Sequence, residues 1–582
     1  SNRSAKWSIK KNDVFLGGAI AYLWWPECLL IDQLDAEKKQ VITASSAAYG
    51  QDTYTSKTER YLYFENLFEE IDQPGESYLD RETGILYFYP IGSVKNATLS
   101  LSQTGADLIR VQGASYLTFQ NIDFVESCGN ALSLSGDHIT VDGSKIHGIG
   151  KSGVEASGTD LIVKNCDIYD FASYGILLSG GNRETLQPSG NVITNNKIHG
   201  GYGAVATGIQ AGGVGHTISH NEMFDFSIQA IRYDDMNNSV IEYNQIYDTQ
   251  LLNADGGAIY AGRNSTDLGN LIRYNYFHDI GGHIGAHGQQ SIFTDDGEIG
   301  PAIYGNIFYK GGLPNFPIKT NGGQFHQIYQ NIFMDNKVGV YMQNWGQSGT
   351  GVKNEMIPAV WWIGIISATT ITDRSKLLYS DTWRDYYQKT EPTGYWAKVF
   401  DYLNPELCTE GKKLSDAKDK DGLAAWVGTK VPAGHTNFVY DNVWINIPTI
   451  MDKAGKGNWA ELKNNLSLSA AEGKSLFVDY GTDFTLTGEG LATIQKTIPG
   501  FKATDFSKIG VQEGEFGSAP AASNAEVLGT AAVGKVLTAE YAYADPDGDP
   551  EGSTKIYWYV SDKADGEYTR ISDGYGKYYT VK

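Results

Sequence analysis

At 582 residues the chain is too long for one ordinary core unless that core is elongated. Charged residues make up only 20% of it, yet the formal net charge is −22. Nucleic acid and anionic membrane surfaces need basic patches, so this balance argues against both as partners, and no apolar run approaches the roughly 18 residues of a membrane span. The same acidity disfavours a strongly anionic polymer as substrate unless a local basic strip overrides the global field.

The chain opens at Ser1 and runs directly into "AKWSIKKNDVFLGG", with no signal peptide, so it is expected to be a piece of a longer polypeptide that lacks both native ends. Glycine (68) and tyrosine (37) are abundant, as suits a β-rich fold with many tight turns. Residues 1–101 read as an irregular N-terminal β part of a larger β domain. Within them "GESYLDRETGILYFYP" predicts a hairpin with "DRETG" as its turn.

From residue 102 to 345 a repeat takes over. An apolar pair, two further residues, Asn, one residue and an apolar side chain recur as "VITNNKIHG" at Asn196, "TISHNEMFD" at Asn221 and "VIEYNQIYD" at Asn244. The pattern continues as "LIRYNYFHD" at Asn275, "AIYGNIFYK" at Asn306 and "QIYQNIFMD" at Asn331, at intervals of 25, 23, 31, 31 and 25 residues. Upstream, "ITVDGSKIHG" and "LIVKNCDIYD" carry it with Asn replaced or shifted, 22 residues apart. A second motif lies between these corners, in forms such as "YGILLSG", "TGIQAGG", "GAIYAGR" and "QSIFTDD". Each coil therefore holds at least two short strands, and one coil cannot bury its own apolar face, so coils must stack. Together these features predict an all-β, right-handed parallel β-helix of about 22 residues per coil, with Asn laddered at one corner. The longer intervals leave loops of about eight residues to build a rim.

Residues 346–435 lose the repeat; "TDRSKLLYSDTWRDYYQKT" and "LSDAKDKDGLAAWVG" have helical spacing and predict a partly helical insertion. Trp361, Trp362, Trp383 and Trp396 within it would either stack on a sugar or be buried. Final coils are expected over 436–510, a small-residue linker over 511–524, and a small Ig-like β-sandwich, truncated, over 525–582. In that module Asp545, Asp547 and Asp549 alternate in "DPDGDPEG", either as a structural calcium site or as a solvated acidic turn. No other cofactor is expected. Cys28, Cys128, Cys166 and Cys408 form no C-x-x-C pair and no disulfide framework, and are expected as buried free thiols.

Aligning the second motif on its inward apolar residue sets the outward positions. They are bland early (Ser133, Leu177, Ser179) and then become Arg232 and Asp234, Tyr260 and Gly262, Phe293 and Asp295, Lys319 and Asn321, Tyr341 and Gln343. This change in mid-stack marks a candidate site. The carboxylates around it are Asp234, Asp235, Asp255, Asp295 and Asp296, and glycoside hydrolysis needs two carboxyl groups across the scissile bond, one protonated and one ionised. His278, His283 and His287 would supply a base or substrate hydrogen bond, or simply hydrogen-bond locally.

The segments "GGAIYAGRNSTDLGNLIRYNYFHDIGG" and "SIFTDDGEIGPAIYGNIFYKGG", with "PGESYLDRETGILYFYP" before them and "IPGFKATDFSKIG" after, resemble bacterial right-handed β-helix carbohydrate enzymes, most closely glycoside hydrolase family 141, over roughly residues 7 to 510. The resemblance implies fucosidase- or xylanase-like hydrolysis. It also implies a catalytic pair of aspartates, one at Asp255 in the D-G-G-A-I-Y segment and one at Asp296 or Asp295 in the D-D-G segment. Phe293 and Thr294 stand where that family usually has Tyr-Leu, a departure that bears on the subsite. The terminal module resembles Ig-like repeats of large secreted Gram-positive enzymes, which implies a secreted or cell-surface bacterial protein and cell-wall association through further modules.

The expectation is thus a secreted hydrolase cleaving a plant or algal polysaccharide, xylan- or fucose-containing, through paired aspartates. Arg232, Asp234, Tyr260, Arg263, His287 and Lys319 would bind the substrate. Two alternatives stand beside it. One is a lyase that uses Lys319, Arg232 or Arg263 for β-elimination from a uronate polymer; the other is a non-catalytic surface glycan binder.

Overall fold

The computed structural model describes residues 6–10, 12–35, 38–50, 60–95, 97, 99–262, 264, 266–281, 288–295, 298–312, 316–321, 325–343, 377, 380–389, 437–454, 460–512, 521–544, 556–561, 563, 568–575 and 577–582. Three parallel sheets of eleven strands each run side by side, and every coil contributes one strand to each. The fold is a right-handed parallel β-helix. Its first sheet runs from Ile109–Gln112 to Thr449–Ala454, its second from Leu117–Gln120 to Ala460–Lys463, and its third from Asp123–Ser127 to Leu466–Leu468.

Period-2 alternation explains the stacking. In the first sheet Leu132, Val154, Ile176, Ile209, Ile231, Ile259, Ile292, Ile318 and Val340 lie in one register column and are all buried. Each such side chain contributes about 1.5–3 kcal/mol by leaving water. The third sheet's inward column changes from aliphatic to aromatic midway, where Phe277, Phe308, Phe333 and Trp444 stack with centroids 5.0, 4.7 and 4.2 Å apart.

The predicted Asn corner is present between the second and third sheets. The Asn196 amide nitrogen donates to Asn221, and the chain of side-chain bonds continues through Asn244, Asn275, Asn306 and Asn331 at 2.9–3.0 Å. It then crosses the insertion unbroken to Asn442 (3.0 Å) and Asn465 (3.2 Å). Each Asn also donates to a backbone carbonyl of the preceding coil, so the ladder satisfies turn groups that the core would otherwise strand. The residue before each corner is left-handed: Asn195, His220, Tyr243 and Tyr274 have φ of 54–57°. Gly305 takes this position one coil later, where the conformation is free of strain.

Around the stack, the N-terminal strands Phe15–Gly18, Glu27–Asp35, Gln40–Thr43 and Leu62–Glu65 make an antiparallel sheet. The predicted hairpin is there as Ser77–Asp80 paired with Ile85–Phe88. After Leu468 the chain stops coiling. Helices Ala470–Lys474 and Gly488–Thr497 and the hairpin 477–486 pack a second apolar cluster onto the outer face of the third sheet, around Tyr276, Ile307, Ile332 and Met334. Helix Asp381–Lys389 is the described part of the insertion, and it buries Trp383 and Tyr387 completely. Trp383 donates to the Arg183 carbonyl at 2.6 Å, so this tryptophan is a packing residue and no sugar platform; Trp361, Trp362 and Trp396 lie outside the described residues.

Residues 1–511 and 512–582 form two compact units. The second unit shows antiparallel strands Ala521–Leu528, Val536–Ala544 and Tyr578–Thr580, with a further pair, Tyr557–Val560 and Thr569–Tyr575. Asp545, Asp547 and Asp549 lie outside the described residues. The cysteines correct one expectation: Cys166 is buried, but Cys28, on strand Glu27–Asp35, and Cys128, in the bend after strand Asp123–Ser127, are exposed. Cys408 lies outside the described residues.

Candidate active site

One outward register column runs up the first sheet: Ser133, Glu155, Leu177, Gln210, Arg232, Tyr260, Phe293, Lys319 and Tyr341. Its lower members sit on a regular ladder. Between Ala211 and Gly213 the register shifts, because the facing strand carries one extra residue at Asp234–Asp235. Above it, pairing of Ile231–Asn237 with Gly256–Gly262 is confined to Ile231↔Ile259 and Arg232↔Tyr260. The bulge sends neighbouring carboxylates in different directions. Asp234 stays on the face and takes Arg232 Nε at 3.0 Å. Asp235, left-handed at φ 53°, turns to the corner and meets Arg183 Nη1 at 2.5 Å and the Asn264 amide at 2.9 Å. Its carboxylate is therefore held at the corner by Arg183 and Asn264.

The turn before the next strand folds back over the sheet. Asp255 is held at φ 80°, a conformation costing about 1–3 kcal/mol outside glycine, and two glycines follow it. Gly257 approaches so closely that an added Cβ would lie 2.7 Å from the Phe293 amide nitrogen. The fold-back places the Asp255 carboxylate 2.5 Å from Lys319 Nζ, and that ammonium sits 4.2 Å over the Phe293 ring. The alternation predicts that Phe293 and Lys319 face outward. They do face outward but are only 1% and 7% exposed, with the Asp255 carboxylate against Lys319 and Lys319 over the Phe293 ring.

Asp295 completes the arrangement at the end of its strand. Tyr260 Oη donates to Oδ2 at 2.9 Å and Asn321 Nδ2 to Oδ1 at 2.7 Å. Burial pushes the Asp295 carboxyl above its ordinary value and the Asp255 charge pushes it the same way, against the opposing pull of Asn321, Lys319 and Tyr260. The group is enclosed by protein yet keeps an edge to solvent. Arg232 lies 5.7 Å over the Tyr260 ring, so cation, phenol and carboxyl form a chain across three rungs.

Several supports were invisible in the repeat. Glu298 closes the turn after Asp295 by donating its amide to the Asp295 carbonyl at 3.0 Å, and its buried carboxylate takes the Asn264 amide at 2.9 Å. Behind the strand, buried His326 accepts from or donates to Thr294 at 2.6 Å and contacts Asn437 at 3.0 Å; burial pushes its pKa down to about 4. Because Asn437 Oδ1 can only accept, Nδ1 carries the proton and Nε2 takes the Thr294 hydroxyl. The loop bearing Asp255 is tied to the N-terminal segment: Ala254 N donates to the Leu23 carbonyl (3.1 Å) and Tyr61 Oη to the Leu252 carbonyl (2.5 Å). No sequence signal marks these partners, since Leu23 and Tyr61 lie far outside the repeat.

The structure thus brings together Asp255, Asp295, Tyr260, Lys319, Arg232 and Asp234 of the expected site residues. His278 belongs elsewhere, on the third sheet, stacked on Tyr247 and beside Asp279 at 3.0 Å. Asp296, Arg263, His283 and His287 lie outside the described residues. Among the described residues no group of three or more His, Cys, Asp or Glu is placed to hold a metal ion. No described helix is long and apolar enough to cross a membrane.

Residues 84–206 match the family described as right handed beta helix region. Solved structures with similar chains include a protein described as a glycoside hydrolase, at 14% identity and TM-score 0.40, covering 60% of this chain and 71% of that one. Another is the pectate lyase Pel9A, at 13% identity and TM-score 0.27, covering 41% of this chain and 67% of that one. A third is XylC in complex with xylose, at 11% identity and TM-score 0.33, covering 78% of this chain and 73% of that one. Scores this low say nothing about activity or substrate. No curated protein sequence matches the chain.

Proposed function

We propose that the protein is a glycoside hydrolase acting on an extracellular polysaccharide, with Asp295 as general acid and Asp255 as the second carboxylate. The observation that carries this is the contrast between the two groups. Asp295 is enclosed and pushed toward its protonated form, whereas Asp255 faces an ammonium at 2.5 Å. One carboxyl held toward its protonated form and a second paired with an ammonium nearby supply the acid and the base or nucleophile that glycosidic cleavage needs. Asp295 would protonate the leaving oxygen. Asp255 would either activate water or attack the anomeric carbon, and Lys319 would hold it in place. Arg232, Asp234 and Asn321 offer donors and acceptors for sugar hydroxyls. Xylan and fucose-containing glycans are the first substrates to try.

The test is an activity screen of the wild type and Asp255→Asn on plant and algal polysaccharides, with analysis of the products. Reducing ends released by the wild type and lost in the variant support the reading. Full activity in Asp255→Asn sinks it. Unsaturated products from polygalacturonate or alginate would replace it with β-elimination.

A further inference from the structure

On the segment bonded to the Asp255 turn lies an aromatic group that the proposed chemistry does not use. The segment Tyr22–Trp25 is a turn closed by the Trp25 amide donating to the Tyr22 carbonyl at 3.1 Å. Tyr22 and Trp24 stack at 4.9 Å and 12°, and Tyr49 meets Trp24 edge-on at 4.8 Å and Trp25 at 5.7 Å. Four rings so gathered would normally be core. Here Trp25 is 38% and Tyr49 44% exposed, while Leu23 between them is buried against Ala254.

That burial fixes the backbone that carries the rings. Leu23 is bonded through its carbonyl to Ala254, the neighbour of Asp255, so chain geometry keeps the Trp24 and Asp255 backbones within about 13 Å of each other. This is a span of a few sugar rings. Among the described residues a negative charge stands beside the platform: Glu27, whose carboxylate takes the Ala48 amide at 2.9 Å. Arg60 Nη1 donates to the Ile20 carbonyl at 3.0 Å. Flat, rigid rings with polar edges suit the C–H face of a pyranose, and a local carboxylate repels a uronate.

We infer that Tyr22, Trp24, Trp25 and Tyr49 form a stacking subsite for neutral pyranose units of the substrate chain, flanking the bond cut at Asp255 and Asp295. The inference rests on the hydrolase reading for its occupant. The test is affinity gel electrophoresis of the full chain in gels holding soluble arabinoxylan, xyloglucan or polygalacturonate. Asp295→Asn protein is used so that the polymer survives. Adding Trp25→Ala and Tyr49→Ala should weaken retardation by a neutral polymer about tenfold, and Trp25→Phe with Tyr49→Phe should restore most of it. If the double alanine protein fails to fold, the single Tyr49→Ala protein is read in its place.

Unchanged retardation in the alanine protein, retardation by polygalacturonate alone, or no retardation by any of the polymers overturns the platform. The two readings fail separately. Turnover that survives Asp295→Asn removes the acid pair and leaves a confirmed platform standing; turnover lost in Asp295→Asn with binding indifferent to the rings does the reverse.

Discussion

The lower and middle rungs of the first sheet share one backbone and differ in what lies over them. Below, Ser133, Glu155 and Leu177 stand on a ladder whose outward side chains answer only to local partners; the Asn130 amide, for instance, donates to Ser133 at 3.1 Å and Glu155 at 2.8 Å. In the middle, the same column carries Tyr260, Phe293 and Lys319 beneath a turn that folds back from Asp255. The difference is one of cover. A repeat supplies a flat, wet face, and where a loop excludes water from part of it every charge beneath is strengthened.

The largest effect that separates the two regions should come from Asp295→Asn. It is expected to lower kcat on polysaccharide by about 10²–10⁴-fold, whereas Leu177→Ala on the bland rungs should leave kcat unchanged. Equal losses in both would break the contrast. Next comes Lys319→Met, which leaves Asp255 facing Phe293 without its ammonium. Breaking a largely buried pair costs on the order of 3–5 kcal/mol, and thermal unfolding should reveal it together with a fall in activity.

A smaller effect is expected from pH. His326 titrates near 4 in the fold against 6.5 unfolded, so its contribution is fully present above pH 6.5 and lost as pH falls toward 4, on the order of 3 kcal/mol. Replacing it by Gln should flatten the stability curve between those values, as measured by urea unfolding. Asp295 works in the opposite direction. Its folded pKa is raised above the ordinary 3.8, so stability is present below 3.8 and lost as pH rises through the folded value. Asp295→Asn should therefore be the more stable protein at neutral pH while being the less active, and a variant less stable at pH 7 would contradict this. The smallest effect is that of Ser133→Ala, which removes bonds to Asn130 and Asp107 and should cost about 1 kcal/mol of stability.

Much of this was legible in the chain. The Asn corners set the coil length, and period-2 alternation assigned the outward column correctly from Ser133 to Tyr341, because both depend on local geometry that each coil repeats. What stayed hidden depends on single, unrepeated contacts. Whether Phe293 is wet or covered is decided by the left-handed turn at Asp255 and the close approach of Gly257. That turn is in turn held by Leu23 and Tyr61, some 190 to 230 residues earlier. Likewise, the divergence of Asp234 from Asp235 follows from a bulge that adjacent identical residue types do not announce.

The central claim is that Asp295 delivers a proton to the leaving group. It is tested most directly by comparing Asp295→Asn with wild type on two substrates of the same sugar: the natural polymer, and a dinitrophenyl glycoside whose leaving group needs no protonation. The account predicts that the variant loses activity on the polymer by at least about 100-fold yet keeps most of its activity on the aryl glycoside. Equal loss on both substrates, or full activity on the polymer, would contradict it.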